Sequence, residues 1–246
     1  MPEVVGPPNI WALFPNGALQ LYGRYLRGTK FLASFMEVDR QMVKRKYSEF
    51  AHSNPYAGGF HPLRKTDHYK AAILYVICRI IKPKLVVETG VASGTSTVGI
   101  LSALEANHEG ALHSIDLPAG RYTTDSGVLW EDISSPKGPG WLVPERLKPR
   151  WTIHIGPSRA LLQKVLSRAE SIELFYHDSE HTKENMDYEL ELAFEHLGAD
   201  GWILADNTNW SNSFQALCQR HSLDSIQLFP FLGVARKPSR RTSSWS

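Results

Sequence analysis

Asp178, Asp206 and Asn207 are the residues of this chain whose types and spacing suit chemistry at a metal ion. Each group follows an apolar run. Asp178 comes after Leu174-Phe175-Tyr176-His177, and Asp206-Asn207 comes after Trp202-Ile203-Leu204-Ala205. As strands of one parallel sheet, these runs would bring both groups to the carboxyl edge, where such sheets bind their ligands. Two carboxylates and an amide oxygen are hard ligands that suit octahedral Mg2+, with room left for water and substrate oxygens. Plainer roles are open to the same residues. Asp178 or Ser179 can cap a helix beginning near Thr182, and Asp206-Asn207 can form a turn.

A second constellation lies earlier, in Val86-Val87-Glu88-Thr89-Gly90-Val91-Ala92-Ser93-Gly94-Thr95-Ser96. A β-branched run ends in an acid, then in a loop with two glycines, then in a helical pattern. Such glycines let the backbone turn sharply out of a strand and come close to a ligand. The order E-x-G-x-A-x-G departs from the G-x-G-x-x-G of dinucleotide sites, and no Lys-Ser/Thr follows as in a nucleotide P-loop. An acid before the loop suits a ligand with a positive group and an amine better than a diphosphate.

With Asp116, at the end of His113-Ser114-Ile115-Asp116, this run resembles the first motifs of class I S-adenosylmethionine-dependent methyltransferases. The resemblance covers about residues 66–237. It implies that Asp116 bonds the ribose hydroxyls and that Glu88, Gly90, Ala92, Ser93, Gly94, Thr95, Ser158 and Asp178 lie on the cofactor side, Ser158 after Gly156 toward the adenine. Asp178, Asp206 and Asn207 are similar to the metal ligands of catechol O-methyltransferase-like enzymes, in which the ion chelates two neighbouring substrate oxygens. Those enzymes carry a lysine as base three residues after the first aspartate, where this chain has His181. An Asp-x-x-His pair there is similar to metal-dependent methyltransferases of macrolide sugars, and Asp178-Ser179-Glu180-His181-Thr182 resembles a broad bacterial family from sugar and natural-product pathways. Asn207 departs from the sugar enzymes, which tend to have a second aspartate.

The resemblance thus implies transfer of a methyl group, with Mg2+, to a hydroxyl of a small molecule, a sugar or natural-product glycoside before a catechol or phenol. His181 would be the base, since a neutral imidazole can take a proton at pH 7. Tyr56, Trp130, Trp141 and Trp210 are aromatic candidates for lining the acceptor, with ordinary packing equally open to each. Two readings of other classes stand beside this one. A nicotinamide-dependent oxidoreductase is disfavoured by Ala92 and Ser93 in the turn, and a non-catalytic cofactor-binding subunit by His181 beside the carboxylates.

The elements that must position these residues are legible in the pattern. Strands are predicted at 84–88, 111–116, 151–155, 172–177 and 201–205, and helices at 95–107, 157–168, 182–197 and 211–221. That alternation is the signature of a parallel, Rossmann-like sheet with helices on both faces. Ile226 to Lys237 offers two short strands, which fit the antiparallel C-terminal strand that the resemblance implies for a doubly wound seven-stranded sheet. Helical spacing of Tyr69, Ile73, Val76, Ile77 and Ile80 predicts a helix over 66–81. Residues 1–65 read as a helical cap: an extended Pro-rich lead, one or two helices from Leu19 to about Met42 interrupted near Gly28, and a loop at 54–62. Residues 118–149 read as a cover over the site or an insertion packed elsewhere, and 238–246 as a basic, solvated tail.

Composition restricts the classes. With 246 residues, 42% hydrophobic and 21% charged, the chain suits one soluble α/β domain with decoration. A net charge of +2 gives no reason to expect nucleic acid. No run reaches the roughly 18 apolar residues of a membrane span, and no signal-peptide pattern opens the chain. The expectation is a cytoplasmic protein with a small-molecule partner, no membrane or nucleic-acid partner, and self-association left open. Cys78 and Cys218, in apolar helical patterns, are expected as buried thiols.

Overall fold

Short aliphatic runs closed by polar residues make the strands, and their alternation divides the core in two. The structure, a computed structural model, describes residues 28–53, 56, 65–118, 121–123, 129–131, 138–228 and 231–238. Its main strands are β1 (Leu85–Thr89), β2 (Ala111–Asp116), β5 (Trp151–Ile155), β6 (Ile172–His177), β7 (Leu197–Ala205), β8 (Asp224–Leu228) and β9 (Leu232–Arg236). A two-stranded hairpin, β3 (Arg121–Thr123) and β4 (Leu129–Glu131), stands apart from this sheet.

The seven strands run in the order β5-β2-β1-β6-β7-β9-β8. β1 pairs in parallel with both β2 and β6, β7 continues in parallel, and β9 is antiparallel to both β7 and β8. Strand order reverses between β1 and β6, so the ligand crevice of such a sheet opens at the carboxyl ends of these two strands. The predicted Rossmann-like, doubly wound fold with a reversed final strand is the fold observed.

Because side chains alternate along a strand, neighbours face opposite layers. Val86, Leu174, Tyr176, Leu204 and Val234 join the core under helices α1 (28–35), α2 (Arg40–His52), α3 (Lys65–Ile81) and α4 (Thr95–Asn107). Val87, Phe175, Ile203 and Ala235 join the opposite core under α5 (Ser158–Leu166), α6 (Lys183–His196) and α7 (Ser213–Arg220). Each fully buried aliphatic side chain stabilises the fold by about 1.5–3 kcal/mol. Cys78 and Cys218 are free, buried thiols within these layers. Among the described residues, no helix is long and apolar enough to cross a membrane.

The position of α3 matters for the site. A Cβ on Gly99 of α4 would lie 2.4 Å from the Ala71 carbonyl oxygen of α3. The two helices therefore approach as closely as glycine permits, which fixes the turn of α3 that contains Lys70.

Several boundaries differ from the sequence expectation. A break falls at residues 36–39, where Glu37 is left-handed (φ 55°) and Asp39 caps α2, accepting from the Gln41 N–H at 2.8 Å. The interruption expected near Gly28 lies at the edge of the described residues, which begin with Gly28 in helical backbone; a Cβ there would meet the Tyr69 hydroxyl at 2.4 Å. α2 runs on to His52, past the expected end near Met42. β7 starts at Leu197, directly after α6, and its register against β6 slips between Ile172 and Leu174. In the 118–149 stretch, the Gly140 and Leu142 N–H groups donate to the Ala92 and Ser93 carbonyls at 2.8 and 3.0 Å, while Leu142 and Val143 are buried. That part is packed structure lying against the glycine turn. The expectations for residues 1–27, for most of 54–64 and for 239–246 lie outside the described residues.

Candidate active site at the carboxyl edge

The turn after β1 is shaped by contacts that exclude larger residues. A Cβ on Gly90 (φ 82°) would fall 2.0 Å from the Asp178 carbonyl oxygen, so the turn lies directly on the end of β6. Gly94 (φ 92°) opens α4 in a left-handed conformation, and a Cβ there would meet the Gly140 Cα at 2.9 Å. Between them Ala92 is left-handed too (φ 47°), a conformation that costs an L-residue roughly 1–2 kcal/mol. Asp116 holds it there. One carboxylate oxygen accepts from the Val91 and Ala92 N–H groups at 3.1 and 2.7 Å, and the other from Leu117 N–H at 2.8 Å. The Ser93 and Thr95 hydroxyls are 3.1 Å apart at the start of α4.

Glu88 works from beneath the turn. It is completely buried, and its carboxylate accepts from the hydroxyls of Ser96 (2.6 Å), Thr97 (2.8 Å) and Ser114 (2.7 Å). The Trp151 indole N–H donates to Ser114 Oγ at 2.9 Å, extending the network to β5. This inward role was not part of the sequence expectation, which put Glu88 on the cofactor side. Burial pushes its carboxyl up to about 7, and the three hydroxyl donors only partly oppose this. Since the folded value is raised, the contribution of Glu88 to stability is complete below about pH 4.5 and declines as pH rises through 7. Glu88→Gln should remove that slope. Melting curves from pH 4 to 8 test this: identical pH dependence in both chains would show that Glu88 does not titrate there.

Four side chains converge beyond the turn. Ligand atoms of Asp178, His181 and Asp206 all lie within 4.8 Å of one another, an arrangement able to hold a metal ion. The sequence expectation did bring these three to one place. It did not include Lys70, whose ammonium stands 2.5 Å from Asp206 Oδ2 and 3.6 Å from Asp178 Oδ2. The Tyr176 hydroxyl donates to Asp178 Oδ2 at 2.9 Å. Burial and the neighbouring Asp206 raise the Asp178 carboxyl well above its usual range, against the pull of Lys70. Burial opposes the charge on Lys70, yet Asp178 and Asp206 outweigh it and keep the ammonium protonated. Asn207 follows Asp206 in left-handed backbone (φ 49°).

His181 belongs to a chain of buried groups. Its Nδ1 is 3.3 Å from His177 Nε2, and His177 Nδ1 is 2.7 Å from Glu189 Oε2. Glu189 on α6 is wholly buried and also accepts from Thr89 Oγ1 (2.6 Å), Ser179 Oγ (2.7 Å) and Asn185 Nδ2 (2.9 Å). Burial alone would raise its carboxyl, but His177, Ser158 and Thr89 hold it down to about 2. An ionised Glu189 only accepts, so His177 Nδ1 donates to it. In the tautomer where His177 Nε2 accepts from His181 Nδ1, His181 Nε2 has a lone pair, 3.6 Å from Asp178 Oδ1. Burial and His177 lower the His181 imidazole to about 4, so it is neutral at pH 7. The Trp210 ring, 63% exposed, meets His181 edge-on with centroids 5.3 Å apart.

Two of the other aromatic candidates are packed in the core. Tyr56 is buried against Phe50 and His68 among the N-terminal helices. Trp141 packs on the α1–α4 core, and the Trp130 side chain lies outside the described residues. Ser158 opens α5 close to Glu189, after a Gly156 whose N–H donates to the Asp116 carbonyl at 2.8 Å. Lys70, Tyr176 and Glu189 are the participants that sequence reasoning missed. For Lys70 a weak signal existed, its i, i+3 spacing from Asp67 on one helix face.

Comparison with known proteins agrees with this geometry. Residues 87–208 match a family described as a methyltransferase domain. A cofactor-bound protein, Rv0187 from MTB, is similar in fold, with a TM-score of 0.50 at 14% identity over 96% of this chain and 100% of that one. An O-methyltransferase from Bacillus cereus in complex with SAH aligns with TM-score 0.45 and 14% identity, over 85% of this chain and 96% of its own. The SAH-bound Podospora anserina methyltransferase PaMTH1 aligns with TM-score 0.47 and 14% identity, over 86% and 94%. No curated protein matches the chain. The fold is thus the doubly wound, Rossmann-like sheet, and residues 87–208 of it are similar to a methyltransferase domain. The matched stretch spans the glycine turn, Asp116, Asp178, His181 and Asp206.

Proposed function

We propose that this chain transfers a methyl group from S-adenosylmethionine to a hydroxyl of a small molecule, a sugar or natural-product glycoside first, with Mg2+ bound by Asp178, Asp206 and Asn207. The observation that carries this reading is the meeting of Asp178, His181 and Asp206 beside the glycine turn. Two carboxylates are hard oxygen donors that fit a divalent ion, and the pair already attracts one cation, Lys70.

When bound, such an ion lowers the pKa of an acceptor hydroxyl and orients it. The sulfonium cofactor brings an electrophilic methyl, so the protein's work is alignment and exclusion of water. Asp116 meets the ribose, and the turn from Gly90 to Thr95 lets the backbone approach. His181 takes the hydroxyl proton at Nε2, while His177 and Glu189 fix its tautomer and direction. Trp210 offers a flat face beside the acceptor.

A second acceptor class, the catechols and phenols, is favoured by one observation. An imidazole lowered to about 4 is a weak base, better matched to an already acidic hydroxyl than to a free alcohol.

Calorimetry with S-adenosylmethionine tests the core of the reading. Binding is expected, and Asp116→Ala should weaken it by roughly tenfold or more, since a charge-assisted bond contributes about 1.5–3 kcal/mol. Turnover on a panel of glycosides and catechols should stop with chelator and return with Mg2+. No cofactor binding would overturn the methyltransferase reading, and full turnover in excess chelator would remove only the metal.

A further inference from the structure

We infer that Lys70 is the built-in competitor for the cation position between Asp178 and Asp206, so that a divalent ion enters the site only by driving the Lys70 ammonium out. This rests on the reading of that pair as a metal site and adds the residue that sets its affinity.

The geometry carries the inference. Asp206 is almost fully buried, and its Oδ2 already accepts a bond from Lys70 Nζ at 2.5 Å; the same nitrogen stands 3.6 Å from Asp178 Oδ2. Two acidic groups this close, one of them almost fully buried, need a compensating positive charge, and the chain supplies one from α3. A divalent ion takes carboxylate oxygens at about 2.0–2.6 Å. Sharing Asp206 with it would set a double and a single positive charge a few ångströms apart, where repulsion scales inversely with distance. Ammonium and ion therefore exclude each other.

The lysine also has somewhere to go. Asp67, one turn earlier on α3, has its Oδ1 3.8 Å from Lys70 Nζ and a side chain about a third exposed. A flexible four-carbon stem lets the ammonium shift toward Asp67 while α3 stays fixed through the Gly99–Ala71 contact. The exchange is thus a side-chain movement with no change in the backbone. It makes the chain a selective binder, because an ion that attracts the carboxylates weakly does not displace an ammonium already in contact with them.

Mn2+ titrated into the full chain, followed by calorimetry without cofactor or acceptor, tests this. Lys70→Met keeps the length of the side chain and removes the charge; Lys70→Arg keeps the charge; Asp206→Asn reports whether the ion binds at this pair. Lys70→Met should bind Mn2+ at least about tenfold more tightly than the wild type, as expected for removal of a buried competing ion pair. Lys70→Arg should gain nothing, and adding Asp206→Asn should abolish the gain. Equal or weaker binding by Lys70→Met, with binding still sensitive to Asp206→Asn, would overturn the competition and leave the metal site standing. Binding insensitive to Asp206→Asn in both backgrounds, or absent from both, would overturn the metal reading and the competition with it. Should Lys70→Met prove unstable, its melting temperature should rise with Mn2+ by more than that of the wild type. Equal rises would again overturn the inference.

Discussion

Turnover of the His181→Ala chain is expected to fall by about 10²–10⁴-fold, the usual share of a positioned base, with S-adenosylmethionine affinity nearly unchanged. The two readouts separate because the contacts of His181 are to His177, Asp178 and Trp210, none of them a residue of the glycine turn. The pH profile supplies a further test. Burial and His177 lower the imidazole to about 4, so the wild-type rate should hold from neutral pH downward and fall only as pH drops through about 4. Stability has its own window. The unfolded chain takes up a proton near the ordinary 6.5 and the folded chain does not until about 4, so stability from this group is complete above 6.5 and is lost as pH falls between these values. His181→Ala should lack both the limb and that loss. A variant that keeps rate and profile would reduce His181 to a packing role and leave activation of the hydroxyl to the metal alone.

Gly90→Val should be the most damaging substitution in the chain. Its Cβ would lie 2.0 Å from the Asp178 carbonyl oxygen, 2.5 Å from the Asp178 carbonyl carbon and 2.8 Å from the Ser179 nitrogen. All three are backbone atoms at the end of β6, so no side chain can swing away. A β-branched residue at φ 82° adds strain of its own. Together these exceed about 4 kcal/mol, the upper range for single substitutions and a large part of the 5–15 kcal/mol that hold an ordinary domain folded. Gly138 is the matched control. It has the same φ of 82°, and no described atom lies within 4 Å of where its Cβ would be, so Gly138→Val isolates the backbone cost. Melting temperatures and cofactor calorimetry on both chains decide the matter. If Gly90→Val melts within a few degrees of Gly138→Val and still binds cofactor, the close approach of turn and strand is not what the structure indicates.

The sheet and the meeting of Asp178, His181 and Asp206 were legible because they depend on local signals. β-branched runs ending in polar residues define strands, and parallel topology gathers strand ends at one edge. Glu88 was recognised as part of the turn but not as its internal anchor, because that role requires the hydroxyls of Ser96, Thr97 and Ser114 to close around it. Lys70 was hidden for a related reason. It meets Asp206 across 136 residues, and periodicity tells which face of a helix is buried but not what its polar positions touch. The break at residues 36–39 was hidden because its signal is the Asp39 cap, which glycine spacing does not mark.

Glu189 has a consequence for how the domain comes apart. Its buried carboxylate joins β1 through Thr89, β6 through His177, the following loop through Ser179, and its own helix through Asn185. Freeing the segment from 177 to 181 takes His177 and Ser179 away from a buried, ionised group, at a cost of about 3–5 kcal/mol. Partial opening at that end of the crevice is therefore penalised almost as heavily as opening the centre of the sheet, and the two belong to one cooperative unit. Amide protons there exchange with solvent only on the timescale of the sheet itself.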